Sequence, residues 1–525
     1  MATTTTERDA EELAALTWST TSGVPYFDSR SLETPPQLGS LMSLRDLWDY
    51  GVAPIRLADP HSLELGLTDK TNRQRLPELQ QKLPDVQISF KTISGSGYNT
   101  ILNRLYVATF APEQGGDFAA FTDKLTGMSP KTTFPLIAQL AYLLGASDIH
   151  IEPAESEARI RLRIDGTLHH ITGIETERYK IVLADLQTRA GIKWGSDIPQ
   201  SGRISFDLVD ATGKSRSVDM RLETIPAFHG EEIVARLFNT EPRALELPNM
   251  GFSDKQIELI TITASRSSGM VLTVGPTGSG KTSTLYAIIN RLNNPQIKIV
   301  TLEDPVEYDL PGISQIPVAS EDKELFAEKL RAVLREDPNI IMIGEIRDAD
   351  TARTALQASL TGHLVLSTFH AASAAAAISR LLDMMDGNPL LASAIRLIIA
   401  QRLVRRVCPA CNESYTPAAD TAAMVTQALQ TLPDSLRPDL ANISLRRSRG
   451  CAVCHNIGYQ GRIGIIEQLP ITPEMEQLMT GGKTTAQAIE TQALAEGMVT
   501  LLQDGLLKAL AGLTTLEEIQ RVADL

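Results

Sequence analysis

Cysteine is scarce, with four residues in a chain of 525, and their arrangement as two CxxC pairs points in a reducing compartment to metal binding more than to disulfides. No apolar run approaches the roughly 18 residues that a membrane-spanning helix needs. The opening residues, Met1-Ala-Thr-Thr-Thr-Thr-Glu-Arg, lack the basic start and apolar core of a secretory signal, so cytoplasmic residence is the expectation. Positive charge is in short supply too. Lys and Arg number 49 against 63 Asp and Glu, and the net charge of −14 opposes general adhesion to nucleic-acid phosphates or anionic lipid, although a local basic patch is compatible with it. No tandem repeat of fixed period is present, which excludes a solenoid.

What remains is an ordinary globular composition, 43% hydrophobic and 21% charged. A single core rarely serves more than about 250 residues, so several domains are expected. Residues 1–40, rich in Thr, Ser, Pro and acidic side chains, read as a flexible arm. Helical and strand-like segments alternate over 41–110 as a small α/β domain, and 111–130, with Gly115-Gly116, reads as a linker. Over 131–240 a helix leads into strands such as Ala158-Arg-Ile-Arg-Leu-Arg-Ile and Ser217-Val-Asp-Met-Arg-Leu, whose alternation suits a sheet with one buried face. From Met270 to Met384 short apolar strands alternate with helices, implying a parallel sheet covered on both faces.

Gly275-Pro276-Thr277-Gly278-Ser279-Gly280-Lys281-Thr282 completes the pattern G-x-x-x-x-G-K-[ST] between a strand and a helix. Glycines let successive N–H groups face a phosphate, and the helix N-terminus adds a favourable dipole. Lys281 is placed to reach the β- and γ-phosphates, Thr282 to bind magnesium, and Ser283 lies in the same first turn.

Hydrolysis also needs carboxylates. Thr301-Leu-Glu303-Asp304-Pro-Val-Glu307 and Gly344-Glu345-Ile-Arg347-Asp348 both follow apolar strands. Gly344 stands where an Asp usually holds the metal, which opens the reading of a nucleotide binder with poor hydrolysis. Glu345, one methylene longer and one residue on, can reach the magnesium or its water ligands. Either cluster could instead cap a following helix. Gly362-His363 to His370 forms a further strand whose polar end is where a γ-phosphate sensor would lie in an open α/β sheet, although histidines at strand ends are often only structural.

Together these blocks resemble the secretion ATPase superfamily, specifically the assembly ATPases of type II secretion and type IV pili. The likeness runs from about Leu41 to the C-terminus. It rests on Ala146-Ser-Asp-Ile-His-Ile-Glu-Pro153, Arg163-Ile-Asp-Gly166, the phosphate loop, Glu303-Asp-Pro-Val-Glu307, Gly344-Glu-Ile-Arg-Asp348 and the Gly362 to His370 block, in that order. The resemblance implies an α/β chain, with a RecA-like P-loop ATPase core over 241–407 behind a PAS-like α+β domain over 131–240. It implies that Glu345 is the Walker B glutamate, that Glu303 and Glu307 help to hold magnesium or water, and that His363 and His370 sense the γ-phosphate. Phe369-His370-Ala371-Ala372 departs from the usual Leu-His-Thr-Asn of this block. The resemblance further implies a hexameric ring in which Arg203 and Arg221, with Arg236 as a weaker third, close onto bound ATP. Guanidinium forks suit that role because they stay charged and bind phosphate oxygens bidentately.

All four cysteines form two pairs, Cys408-Pro-Ala-Cys411 and Cys451-Ala-Val-Cys454. Each pair can fill one edge of a tetrahedron, the pattern of a structural zinc with no open position. This element spans 408–457, and its long intervening segment leaves room for a mobile arm; by resemblance to the family, 458–525 is a helical C-terminal part. By resemblance the zinc element favours pilus or pseudopilus assembly over retraction or conjugative transfer. Also implied are an inner-membrane platform protein as partner, a membrane-anchored protein docked on 41–110, and a peripheral place at the inner membrane. A nucleic-acid motor is an alternative that the charge of −14 disfavours, and a non-hydrolysing scaffold is one that Lys281, Thr282 and Glu345 argue against.

Overall fold

Apolar side chains at every second position turn much of the first half of the chain into half-buried strands. The structure, a computed structural model, describes residues 3–523 except 33–35, 37, 39, 40, 43–45, 48, 49, 110–124, 126–129, 196, 211–214, 239–244, 319–322, 482 and 483. It divides into two compact units, Met1–Asn239 and Thr240–Leu525.

In the first unit, β1 (Val52–Asp59), β2 (Ser62–Leu67) and β3 (Gln87–Thr92) form one sheet, in which β2 runs antiparallel to β1 and parallel to β3. The flexible arm expected over 1–40 is corrected. Residues Thr3–Ser22 are helical, and the buried Glu12 accepts hydrogen bonds from Tyr26 Oη (2.7 Å), Ser29 Oγ (2.7 Å) and Ser94 Oγ (2.8 Å). These anchors lie 14 to 82 residues away in sequence, so local composition could not reveal them. The linker expected at 111–130 falls almost wholly outside the described residues.

Next come β4 (Ala146–Pro153), β5 (Glu157–Ile164), β6 (Thr167–Glu175), β7 (Gln200–Val209), β8 (Ser215–Ala227) and β9 (Gly230–Phe238). They build an antiparallel sheet in the order β6-β5-β4-β9-β8-β7. Helices Pro130–Leu143 and Thr176–Ala190 pack against it.

The second unit holds β10 (Gly269–Val274), β11 (Ile299–Glu303), β12 (Ser314–Pro317), β13 (Ile340–Ile343), β14 (Leu364–Phe369), β15 (Ile395–Val407), β16 (Asn412–Tyr415), β17 (Leu445–Ser448) and β18 (Tyr459–Pro470). Seven of these form one sheet in the order β12-β11-β13-β14-β10-β15-β18, parallel except for β18. Every residue of β10, β11, β13 and β14 is buried, as expected of parallel strands covered by helices on both faces. One face packs on Ile257, Ile260 and Leu285 to Ile289. The other packs on helices Lys323–Leu334, Ala349–Leu360 and Ala374–Met384.

The mobile arm expected between the cysteine pairs is corrected as well. Its helix Ala419–Leu429 buries Val425 and Leu429 in one cluster with Leu432, Ile443 and Leu445, and with Leu506, Ala509, Leu516 and Ile519 from the C-terminal helices. Gln503 Nε2 adds bonds to Ala428 O (3.1 Å) and Thr431 Oγ1 (2.7 Å). The four C-terminal helices each start at a threonine, Thr472, Thr485, Thr500 and Thr515, whose hydroxyl caps the first turn.

One buried ion pair ties these helices to the sheet. Lys508 Nζ donates to Asp504 Oδ2 (2.5 Å) and Gly464 O (2.6 Å), while Asp504 also accepts from Ile466 N (2.8 Å). Burial pushes the Asp504 carboxyl above its usual range and the Lys508 ammonium below its own. Removing one partner strands the other charge, so Lys508→Met should cost about 3–5 kcal/mol. The double variant Asp504→Asn/Lys508→Met should recover much of that in calorimetric melting of the full chain. Equal melting of the single and double variants would contradict this.

Candidate active site

Close approach of β15 dictates glycine in the loop after β10. A Cβ on Gly275 would lie 2.4 Å from Ser279 Oγ and 2.6 Å from Gln401 O, and one on Gly280 would lie 2.9 Å from Gln401 Nε2. Gly280 also has φ +84° as the residue that opens helix Lys281–Leu292, a conformation costly for any residue with a Cβ. Thr284 Oγ1 donates to Gln401 Oε1 (2.6 Å), locking the helix to β15. Pro276, Thr277 and Gly278 are exposed, while Thr282 and Ser283 are half-buried in the first helical turn.

Lys281 Nζ curls over the loop and donates to the carbonyls of Gly275 (3.0 Å) and Pro276 (2.9 Å). Burial lowers its pKa, the Glu345 carboxylate opposes that shift, and the Arg402 guanidinium adds to it. The buried hydroxyl of Ser279 has no hydrogen-bond partner among the described residues. An unpaired donor in a glycine loop at a helix N-terminus, beside a lysine, fits a phosphate group.

Three acidic positions lie at the carboxyl ends of neighbouring strands. Glu303, which ends β11, is buried and its carboxylate is occupied by Tyr286 Oη, Thr301 Oγ1 (2.5 Å) and Gln315 Nε2 (3.1 Å). With its oxygens so engaged, it holds the strand end and Tyr286 in place. Burial and the Glu303 charge push the Tyr286 phenol up, so it remains a donor. Tyr286 Oη in turn accepts from Glu307 N (3.3 Å), and Glu307 itself is half-buried.

Glu345 follows β13. Its Oε2 accepts from Arg347 Nε (2.8 Å) and its Oε1 lies 2.9 Å from His370 Nε2 at the end of β14, while Arg347 lies 3.9 Å from Asp304. Gly344 before it packs so closely that a Cβ would stand 3.1 Å from Leu302 O. Its N–H donates to that same oxygen (2.8 Å) and its carbonyl accepts from Thr368 Oγ1 (2.6 Å). Crowding between strands therefore accounts for glycine where an aspartate was looked for. The hydroxyl of Thr282 and the carboxylate of Glu345 are oxygen donors of the kind a hard divalent cation takes.

His363 is not brought to this end. It precedes β14, whereas His370 follows it, and a strand of that length separates them by about 20 Å. Its Nδ1 pairs with Ala358 O (3.0 Å), and its carbonyl accepts from the N–H of Gly269, at the start of β10. The structure does not bring it together with Lys281 and His370, because the polar loop that the parallel strands share is at their other end.

Arg203 and Arg221 lie in the first unit as direct cross-strand partners on β7 and β8, and Arg221 likewise faces Arg236 on β9. Adjacent like charges destabilise a sheet. Glu223 compensates Arg221 (2.6 Å) and Asp148 compensates Arg236 (2.9 Å), while Arg203 is exposed with no partner among the described residues. Such a cationic row suits an incoming anion.

The sulfurs of Cys408, Cys411, Cys451 and Cys454 all lie within 4.8 Å of one another, with Cys408–Cys451 at 3.9 Å and Cys411–Cys454 and Cys451–Cys454 each at 3.7 Å. Tetrahedral zinc with bonds of about 2.3 Å sets sulfurs about 3.8 Å apart. The Cys454 sulfur also accepts from the N–H groups of Cys451 and Gly458, each at 3.2 Å. Sequence reasoning missed Tyr286, Arg347, Gln401 and Arg402. Arg347 stood inside a motif already quoted, but nothing local marks Gln401 or Arg402, which lie far along the chain from the loop they support.

Residues 131–521 match the family described as Type II/IV secretion system protein. The chain is 38% identical over 461 residues to the type II secretion system protein E of Pseudomonas aeruginosa, covering 84% of this chain and 88% of that one. It is 32% identical over 516 residues to the type IV pilus assembly ATPase PilB of Myxococcus xanthus, covering 95% and 88%. Among solved structures, the Legionella pneumophila ATPase DotB superposes with a TM-score of 0.55 at 21% identity, over 77% of this chain and 95% of that one, a likeness of fold.

Gly280→Ala should weaken binding of a fluorescent ATP analogue by at least about tenfold, since the side chain meets both a strained φ and Gln401. Unchanged affinity would contradict the close approach of β15 to the loop.

Proposed function

This chain belongs to the Type II/IV secretion system protein family and is an ATPase; we propose that it powers assembly of a type II secretion pseudopilus or a type IV pilus. The observation that carries the reading is the convergence of Lys281, Glu345 and His370 on one end of the seven-stranded sheet. Lys281 and the loop N–H groups bind and orient the phosphates of ATP. Thr282 and Glu345 would hold a magnesium ion, which would supply charge neutralisation at the phosphate oxygens. Arg347 and His370 keep the Glu345 carboxylate aimed, so that it orients the attacking water. Glu303 and Glu307, through Tyr286, support this edge of the site.

Arg203, which has no partner among the described residues, with Arg221 beside it, closes onto the nucleotide when ATP binds, and hydrolysis releases it. Repeated around a hexameric ring, that cycle moves an inner-membrane platform protein. The small domain over 41–110 docks a membrane-anchored partner, which holds the motor at the inner membrane. No helix among the described residues is long and apolar enough to cross a membrane. The four-thiolate cluster would hold a structural zinc, an element that by family resemblance favours assembly over retraction as the work done.

Steady-state ATP hydrolysis across the monomer-to-oligomer range tests the reading. Turnover should rise with oligomerisation, Lys281→Ala should abolish it, and Glu345→Gln should lower it at least about a hundredfold while still binding ATP. A wild-type protein that binds ATP but never turns it over, alone or with lipid or partner, would contradict the motor. Purified protein should also contain about one zinc per chain, lost in Cys454→Ser with a lowered melting temperature. Metal analysis finding none in the wild type would refute the zinc assignment.

A further inference from the structure

We propose that Glu467 is a positioning residue for the loop that carries His370, and that through it the C-terminal part of the chain sets the geometry of the Glu345–His370 pair. The inference rests on the ATPase reading above. Glu467 lies on β18 opposite Ala400 of β15, which lies opposite Val274, the last residue of β10. It is therefore level with the start of the phosphate loop, two strands away. It is 4% exposed, and a carboxylate buried that deeply needs strong donors.

The donors are the first amides of two helices. Oε1 accepts from Ala374 N (2.8 Å) and Oε2 from Leu501 N (3.3 Å), so the positive ends of both helix dipoles meet on one side chain. Each helix already has its own hydroxyl cap, Ser373 and Thr500. Glu467 is thus additional to ordinary capping, and it joins two elements that sequence separates. Burial pushes the Glu467 carboxyl above its usual range and the Glu490 charge adds to that, while the two amides and the Arg402 guanidinium on β15 oppose the shift.

Ala374 begins the helix that follows His370, and the four residues between strand and helix are held at three points. Arg380 Nη1 donates to His370 O (2.7 Å), Arg402 Nη2 donates to Ala372 O (2.6 Å), and Glu467 takes Ala374 N. Three charged side chains from a helix and two strands hold one short loop. The His370 ring, 2.9 Å from Glu345, depends on where that loop stands. Of the three, only Glu467 also grips helix Leu501–Leu510, which packs on the segment between the cysteine pairs. Movement of the C-terminal helices would therefore be felt at His370 through this side chain.

The test uses full-length Glu467→Gln, His370→Ala and the double variant, with ATP turnover and nucleotide binding measured on each. Gln keeps the volume but turns an amide NH₂ toward a backbone donor. Glu467→Gln should lower kcat at least about tenfold and leave KM for ATP within about twofold. On the His370→Ala background it should cause almost no further loss, because both act on one step. Ser373→Ala, which loosens the same loop without touching a buried charge, should give a smaller loss with the same split, and it decides the matter if Glu467→Gln does not fold. Losses that multiply, or a change confined to KM, would overturn the positioning role while wild-type turnover left the ATPase reading intact. A wild type with no turnover would overturn both.

Discussion

The contact on which the second unit depends is that of β15 with the phosphate loop. Gln401 approaches so closely that the loop can contain only glycine at 275 and 280, and its side chain pins the following helix through Thr284. A loop held by a neighbouring strand presents its N–H groups in one arrangement before any phosphate arrives. Such preorganisation is what electrostatic stabilisation of a transferring phosphoryl group requires. The same strand pairs with β18 from Leu397 to Val407, with Gln401 opposite Ile466, so the same contact transmits to the edge of the sheet.

Buried carboxylates recur at this end of the sheet, and their partners separate their roles. Glu303 and Glu467 have their oxygens engaged by the protein's own donors, which suits groups that hold backbone in place. Glu345 is partly exposed and shares its oxygens with Arg347 and His370, which leaves it able to act on a ligand. Three glutamates of the same chemistry thus diverge through burial and the donors around them.

Much of this was legible in the sequence, for reasons that can be named. The α/β order, the parallel sheet and the glycine loop follow from periodicity and from backbone rules that act within a few residues. What escaped was non-local. Glu12 anchors to Ser94, Gln401 supports a loop more than a hundred residues upstream, and the segment between the cysteine pairs buries itself against helices that come after it. His363 lies apart from His370 for a different reason: the two share a motif, but the strand between them carries its two ends to opposite ends of the sheet. The meaning of Gly344 turned on spacing between strands that no single segment displays.

The motor proposed above requires ATP to draw the sheet bearing Arg203 and Arg221 onto the core bearing Lys281. Single-molecule energy transfer between site-specific dyes at Ser217 on β8 and Glu258 on helix Asp254–Ala264 measures this most directly, in the Glu345→Gln background that traps bound ATP. Saturating ATP should shift the population to one distance distribution, and ADP should return it to that of the nucleotide-free chain. The same distribution in all three conditions would contradict the claim.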